Sequence, residues 1–298
     1  MTLERGRHRQ RPRTVAAPAV VSRRALLQRA LVRLAVVGGV AATLAGAPLP
    51  AQGSASPSLD RRADLFADRH QVSGGYGDWR SVGLRLSVPA GTRDTWFVEV
   101  LQRSAFGDAG TYVSAANQHV WGERVYSYLG VGGGSGDFVL PDLRLDASLS
   151  TKWGRRRALV TTLGTTVVDA KLGYRDVGGF GALTAYLSPL VVAEGGVRVT
   201  RSTPGDVDAV RGNAAITLGR QGKAVVVLRG SSGREGFQLL GADAAVRRFT
   251  SHEGAASWRQ WLGPYGGVLL QGEHYQNPFY RRTGVTLGVF AQRWRSSQ

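Results

Sequence analysis

The chain of 298 residues contains no cysteine. That absence excludes structural disulfides, thiolate zinc sites and cysteine nucleophiles. Methionine occurs once, and lysine only at Lys152, Lys171 and Lys223, so the positive charge is almost entirely arginine. No run of about 20 apolar residues is present, which excludes a polytopic helical membrane protein. The histidines, His8, His70, His119, His252 and His274, show no His-x-His, His-x-x-x-His or HExxH spacing, so no metal site is visible. A G-x-S-x-G elbow and a G-x-x-x-x-G-K-[ST] loop are also missing. No cofactor is expected, and the sequence offers no catalytic motif.

What the chain does have is charge, with 38 Lys+Arg against 21 Asp+Glu for a net of +17. Such a balance points first to nucleic acid, but its distribution argues otherwise. Residues 1–55 hold nine arginines and one glutamate, a net of +8, and the remaining 243 residues hold a net of +9. The arginines end at Arg33. A short apolar run from Leu34 to Ala47 follows, then Pro48-Leu49-Pro50-Ala51 and a stretch of small residues. Positive region, short apolar region, small residues is the order of a signal peptide. Residues 1–55 therefore read as a removed or flexible export segment, and 56–298 as the working domain. Ser22-Arg23-Arg24-Ala25-Leu26-Leu27 approaches a twin-arginine signal, but that route carries folded cargo. No nucleic-acid partner is expected.

Past residue 65 the hydrophobic period is two. In Leu143-Arg144-Leu145-Asp146-Ala147-Ser148-Leu149-Ser150-Thr151-Lys152-Trp153 the apolar residues fall on one face and the polar ones on the other. The alternation recurs at 81–88, 96–103, 191–200, 210–218, 240–247 and 285–292, with turn signals between the runs. Many runs are nine residues or longer, enough for a tilted strand to cross a bilayer. The expected fold is all-β: an antiparallel up-and-down transmembrane β-barrel of about 12 strands, within a range of 12–14. Aromatics near run ends (Trp79, Trp96, Trp121, Trp153, Trp258, Trp261, Tyr265, Tyr275, Tyr280, Trp294) fit interfacial girdles. Gly130-Val131-Gly132-Gly133-Gly134-Ser135-Gly136-Asp137 reads as a flexible hairpin loop.

In such a barrel the polar faces line the lumen. Arg85, Glu99, Arg103, Arg144, Asp146, Lys152, Glu194, Arg198, Arg211, Asp243 and Arg247 are the expected lumen-lining residues. They would either pair and plug the interior or line a polar path. The C-terminal stretch Arg282-x-Gly284-x-x-Leu287-x-Val289 looks like the terminal signal read by barrel-insertion machinery, with Arg282, Gly284, Leu287 and Val289 as its key positions.

The body resembles the YaiO family of outer-membrane β-barrels over about residues 65–294. The resemblance rests on Gly75-Tyr76-Gly77-Asp78-Trp79, on Arg103-Ser104-Ala105-Phe106-Gly107-Asp108 followed by Tyr112, on Asp137-Phe138-Val139-Leu140-Pro141, and on Tyr280-Arg281-Arg282-Thr283-Gly284-Val285. It implies a bacterial outer-membrane location, no established catalytic residues, and a neighbourhood in surface-polysaccharide biology. The expected function is a non-enzymatic channel or docking barrel. Its expected partners are outer-membrane lipid, the insertion machinery, and surface polysaccharide or its export apparatus. Two alternatives stay open. One is an outer-membrane lipid or peptide hydrolase with a rim site, for which Ser104, His119 and Asp108 could be posed. The other is a secreted soluble β-protein that binds anionic polymer.

Overall fold

A computed structural model describes residues 61–238 and 246–293. The expected export segment, Asp243 and Trp294 lie outside the described residues. Fourteen strands form a single closed barrel. They are β1 (Arg61–Val72), β2 (Trp79–Ala90), β3 (Asp94–Ala105), β4 (Asp108–Val120), β5 (Val125–Gly134), β6 (Leu143–Trp153) and β7 (Leu159–Asp169). They continue with β8 (Arg175–Ser188), β9 (Val191–Thr203), β10 (Val207–Arg220), β11 (Ala224–Gln238), β12 (Val246–Gly263), β13 (Gly266–Gln276) and β14 (Arg281–Arg293). Each strand pairs antiparallel with its neighbours in sequence. β1 closes the ring on β14, in register from Arg61↔Arg293 to Val72↔Arg282. Closure gives every strand partners on both sides, which hydrocarbon demands because it offers none of its own.

The strand number is the upper limit of the expected range rather than about 12. One reason is β5, whose glycines hide its alternation. Gly130–Gly134 belong to this strand and not to a hairpin loop; only 135–142 form the loop. The glycines serve packing: a Cβ on Gly132 would overlap the Tyr112 ring, and one on Gly134 would crowd Leu140.

The apolar positions of the alternation face outward and stay bare. Leu163 is 70% exposed, Leu287 61% and Leu129 62%, and Leu65, Val82, Val100 and Val289 behave alike. Two packed sheets would bury these faces between them. A single ring that turns them outward instead is a membrane barrel, with lipid as the missing neighbour, and the soluble alternative falls.

Both described ends of the chain lie at one end of the barrel, called here the terminal end. Its turns are short, at 91–93, 121–124, 154–158, 189–190, 221–223 and 264–265. The far end has the longer connections, 73–78 and 135–142 among them. Short turns face the periplasm and longer loops the exterior, so the far end is the outer one. The aromatic girdle is one-sided. Trp96, Trp121, Trp153, Trp258 and Tyr265 are exposed, all near the terminal end. Trp79, Trp261, Tyr275 and Tyr280 are buried, which corrects their assignment to the girdle.

Candidate functional site in the lumen

Strand parity puts Arg85, Glu99, Arg103, Arg144, Asp146, Lys152, Glu194, Arg198 and Arg211 on the face opposite the exposed apolar residues, toward the lumen. Arg247 lies in β12 opposite Phe237. Several of these charges are paired, either across strands or, for Arg144 and Asp146, along one strand. Arg85 Nε donates to Glu99 Oε2 at 2.5 Å. Arg144 grips Asp146 through Nε at 2.7 Å and Nη2 at 3.0 Å, and the Thr166 hydroxyl donates to the same carboxylate at 2.8 Å. Arg211 pairs with Glu235 and lies 3.7 Å from Glu253. Arg103 Nε donates to Ser81 Oγ at 3.1 Å.

Lys152 and Arg198 differ. Among the described residues neither forms an ion pair, though Arg198 feels the Asp146 charge and donates to the Thr166 hydroxyl at 3.4 Å. Lys152 sits over the Tyr126 ring at 5.5 Å and Arg198 over the Phe180 ring at 5.1 Å. Among the described residues Glu194 accepts from the Thr184 hydroxyl, at 3.2 Å, and forms no ion pair.

The lumen is filled unevenly. Along β1–β4, β13 and β14 the inward side chains are large and buried: Phe66, Trp79, Leu101, Arg103, Tyr112, Glu273, Tyr275, Arg282 and Phe290. Along β8–β10 they are mostly small, including Gly178, Ala182, Gly196, Asn213, Ala215 and Thr217, and two of the inward residues there, Glu194 and Asn213, are exposed. A barrel of about eight strands is filled by its own side chains and one of 16–18 leaves an aqueous channel. Fourteen strands lie between these limits, and here large residues close one side only.

The closed side has a centre at the far end, where the four segments that carry the family resemblance converge. Trp79 meets Phe106 edge-on at 4.8 Å, and Tyr76 meets both Phe106 and Tyr280, at 5.9 and 5.8 Å. Val139 and Leu140 join the same core with Leu101, Ala105 and Tyr112. The 135–142 loop is thus folded in over the lumen, and Asp108 holds it there. The Asp108 carboxylate accepts the backbone N–H groups of Phe138 and Val139 at 2.9 Å and of Asp137 at 3.1 Å. On the other flank Lys171 Nζ donates to the Gly134 carbonyl at 3.0 Å and pairs with Asp142. Burial pushes the Tyr280 hydroxyl up to about 12, so it stays protonated in this cluster.

Beneath the aromatics lies a charged layer. Arg282, 1% exposed, stacks over Trp79 at 4.5 Å and Tyr275 at 5.2 Å, with Nη2 3.1 Å from Glu273 Oε1. Glu273 Oε1 also lies 3.2 Å from His70 Nδ1, and His70 Nε2 lies 3.2 Å from Asp68. His70 reaches Glu273 across β14 because the residue between them is Gly284; a Cβ there would overlap the imidazole. Two positions of the terminal signal, Arg282 and Gly284, therefore shape the lumen. Leu287 and Val289 face outward, 61% and 54% exposed.

Asp64, Asp68, His70, Glu235 and Glu273 were not among the expected lumen residues. The Asp64-Phe66-Asp68-His70 alternation in β1 was the available signal for three of them. Glu273 and His274, adjacent in β13, face opposite ways, Glu273 buried and His274 exposed. The posed Ser104, His119, Asp108 triple is not assembled. Asp108 opens β4 at the far end, and His119, near the other end of that strand, lies 2.9 Å from Asp94 instead.

Among solved structures the barrel is similar to the CymD monoaromatic hydrocarbon channel at 7% identity, covering 89% of this chain and 99% of that one with a TM-score of 0.55. It is also similar to the translocator domain of autotransporter NalP from Neisseria meningitidis, at 14% identity, 85% and 92% coverage and a TM-score of 0.48. At these identities the likeness is one of fold. No curated protein matches the sequence. The family model of the YaiO membrane β-barrel domain matches residues 60–238, and the chain, an outer-membrane β-barrel, belongs to that family.

Proposed function

We propose that this barrel is a narrow diffusion channel for small polar solutes, running along the β8–β10 wall and throttled at the outer end by the packed cluster. The observation that carries this reading is that Glu194 and Asn213 point into the lumen and are nevertheless exposed. A fully plugged barrel would bury them. Two bases that form no ion pair among the described residues, Lys152 and Arg198, stand against two carboxylates that form none, Glu194 and Asp176, the latter an inward residue of β8 bonded to the Ser202 hydroxyl. The passage therefore discriminates weakly by charge. No catalysis is assigned to the barrel. Surface polysaccharide enters as a class of solute worth including, since the wall offers hydroxyls and rings to a sugar.

Planar-bilayer recording of the purified barrel tests the proposal. A small, steady, weakly selective conductance is expected, together with swelling of proteoliposomes in small sugars. Insertion without any conductance would overturn it and favour a docking barrel.

A further inference from the structure

The outer wall changes character at the far end of β11–β14. Below, toward the terminal end, Leu228, Leu270, Val285 and Leu287 present the apolar band, and Trp258 and Tyr265 close it. Above, the wall turns basic, and among the described residues the exposed aromatic there is Phe279, in the 277–280 turn. Arg234, Arg248, His252, His274 and Arg281 are all exposed and outward. Cross-strand register draws them together: His252 is opposite Gln276, which is opposite Arg281, and Arg234 and Arg248 lie one and two steps farther out. Neighbouring strands are about 4.8 Å apart, so His252 and Arg281 are separated by roughly 10 Å. His252 and His274 are each held by one ring nitrogen, at 2.9 Å from the Ser232 and Thr283 hydroxyls, and the other nitrogen lies outside that contact.

The pairing of these arginines sets them apart. Elsewhere on the outer wall near the far end Arg69 pairs with Asp78, Arg175 with Asp169 and Arg201 with Asp208. Arg234, Arg248 and Arg281 form no ion pair among the described residues, although Arg248 feels the charge of Asp208, which is paired with Arg201; Arg80 on β2, beyond the paired Arg69, likewise forms none. Unpaired guanidinium groups directly above a lipid-facing apolar band stand at the level of lipid headgroups. A planar fork of N–H donors matches phosphate oxygens two at a time.

We propose that the outer wall of β11–β14 binds the phosphate groups of outer-leaflet lipid. The apolar rows below take the acyl chains and the Arg234, Arg248 and Arg281 side chains take the phosphates, so one lipid spans both zones. Bound there, the lipid braces the strands beside the β1–β14 closure.

The test is lipid retention by the purified full chain, read by native mass spectrometry after exchange into detergent with lipid A, dephosphorylated lipid A or phosphatidylcholine. Lipid A should be retained and the other two lost. R234A, R248A and R281A should each weaken retention by roughly five-fold. The matched set R155A, R156A and R157A in a terminal-end turn should leave it unchanged. Millimolar inorganic phosphate should compete poorly, because it lacks the chains. Equal retention of lipid A and its dephosphorylated form would overturn the proposal. So would full displacement by inorganic phosphate, which would make this a simple anion site. If the alanine variants fail to insert, the R281Q variant and the dephosphorylated lipid still decide.

Discussion

The two walls of the lumen are built on the same alternating pattern and end up in different physical states. Along β1–β4, β13 and β14 large or charged inward side chains such as Phe66, Trp79, Arg103, Tyr275 and Arg282 are buried, and they interlock around small ones such as Ser81 and Gly284. Along β8–β10 the inward positions are mostly small, and contacts such as Thr184 with Glu194 and Arg198 with Phe180 join adjacent strands. Period two decides only which face looks inward; side-chain size decides whether that face is a core or a bank of a passage. The difference also changes what a charge is worth. A pair such as Arg282–Glu273 is desolvated and depends on its partner, whereas Glu194 is screened by water.

The largest expected effect follows from that contrast. Glu273→Gln leaves Arg282 buried without its counter-charge and removes one of two carboxylates beside His70. Breaking a buried pair costs about 3–5 kcal/mol. Glu194→Gln on the open wall should cost under about 0.5 kcal/mol. Urea midpoints of the barrel refolded in detergent, followed by heat-modifiable gel migration, measure both. Equal midpoints for the two variants would erase the distinction between the walls.

Next comes the glycine that lets the packed wall pack. Gly284→Ala drives a methyl group into the His70 ring, and overpacking of this kind costs about 1–3 kcal/mol. Gly272→Ala, on the outward face of β13 with nothing within 4 Å of a built Cβ, should be neutral. Refolding in detergent separates this effect from any role of Gly284 in the insertion signal, because no insertion machinery is present.

The same residues show how much the sequence disclosed. Which face looks inward was legible from residues such as Arg144 and Asp146 against Leu143 and Leu145, because alternation is local. Membership of the packed wall was not, because it depends on closure. Asp64 receives Arg259 Nη2 at 2.9 Å from 195 positions away, and His70 finds Glu273 only once β1 meets β14. The motifs Arg103–Asp108 and Asp137–Pro141 stood out as letters without a reason. The reason is the Asp108 carboxylate, which gathers the backbone N–H groups of the second motif. The aromatics misled for the same cause: Trp79 and Trp96 both sit at strand starts, and only parity within a closed ring sends one inward and the other to lipid.

A smaller effect is expected from loosening the packed wall at its outer end. Asp108→Ala removes the acceptor of several loop N–H groups, which water satisfies once the loop opens, so the cost falls on the loop and not on the barrel. Because the loop keeps Val139 and Leu140 in the aromatic core, the barrel should stay folded while the loop opens part of the time. Conductance should rise about two-fold, and protease added from outside should cut within 135–142 in the variant but not in the parent. An unchanged conductance with a cleaved loop would mean that the narrowest point lies elsewhere.

The smallest effect tests the open wall alone. Reversing one charge, Arg198→Glu, moves the balance of Lys152 and Arg198 against Glu194 and Asp176 by two units toward the negative. At about 0.1 M salt the screening length is near 10 Å, comparable with the bore of a partly filled barrel, and at 1 M it falls to about 3 Å. The reversal potential should therefore shift toward cations by a few millivolts to tens of millivolts at low salt and return toward the parent value at high salt. Arg103→Gln removes a charge of the same kind from the packed wall and should leave selectivity where it was, because ions do not pass there. If Arg103→Gln shifted selectivity as much as Arg198→Glu, ions would be running along both walls, and the lumen would be one wide passage rather than a core beside a channel.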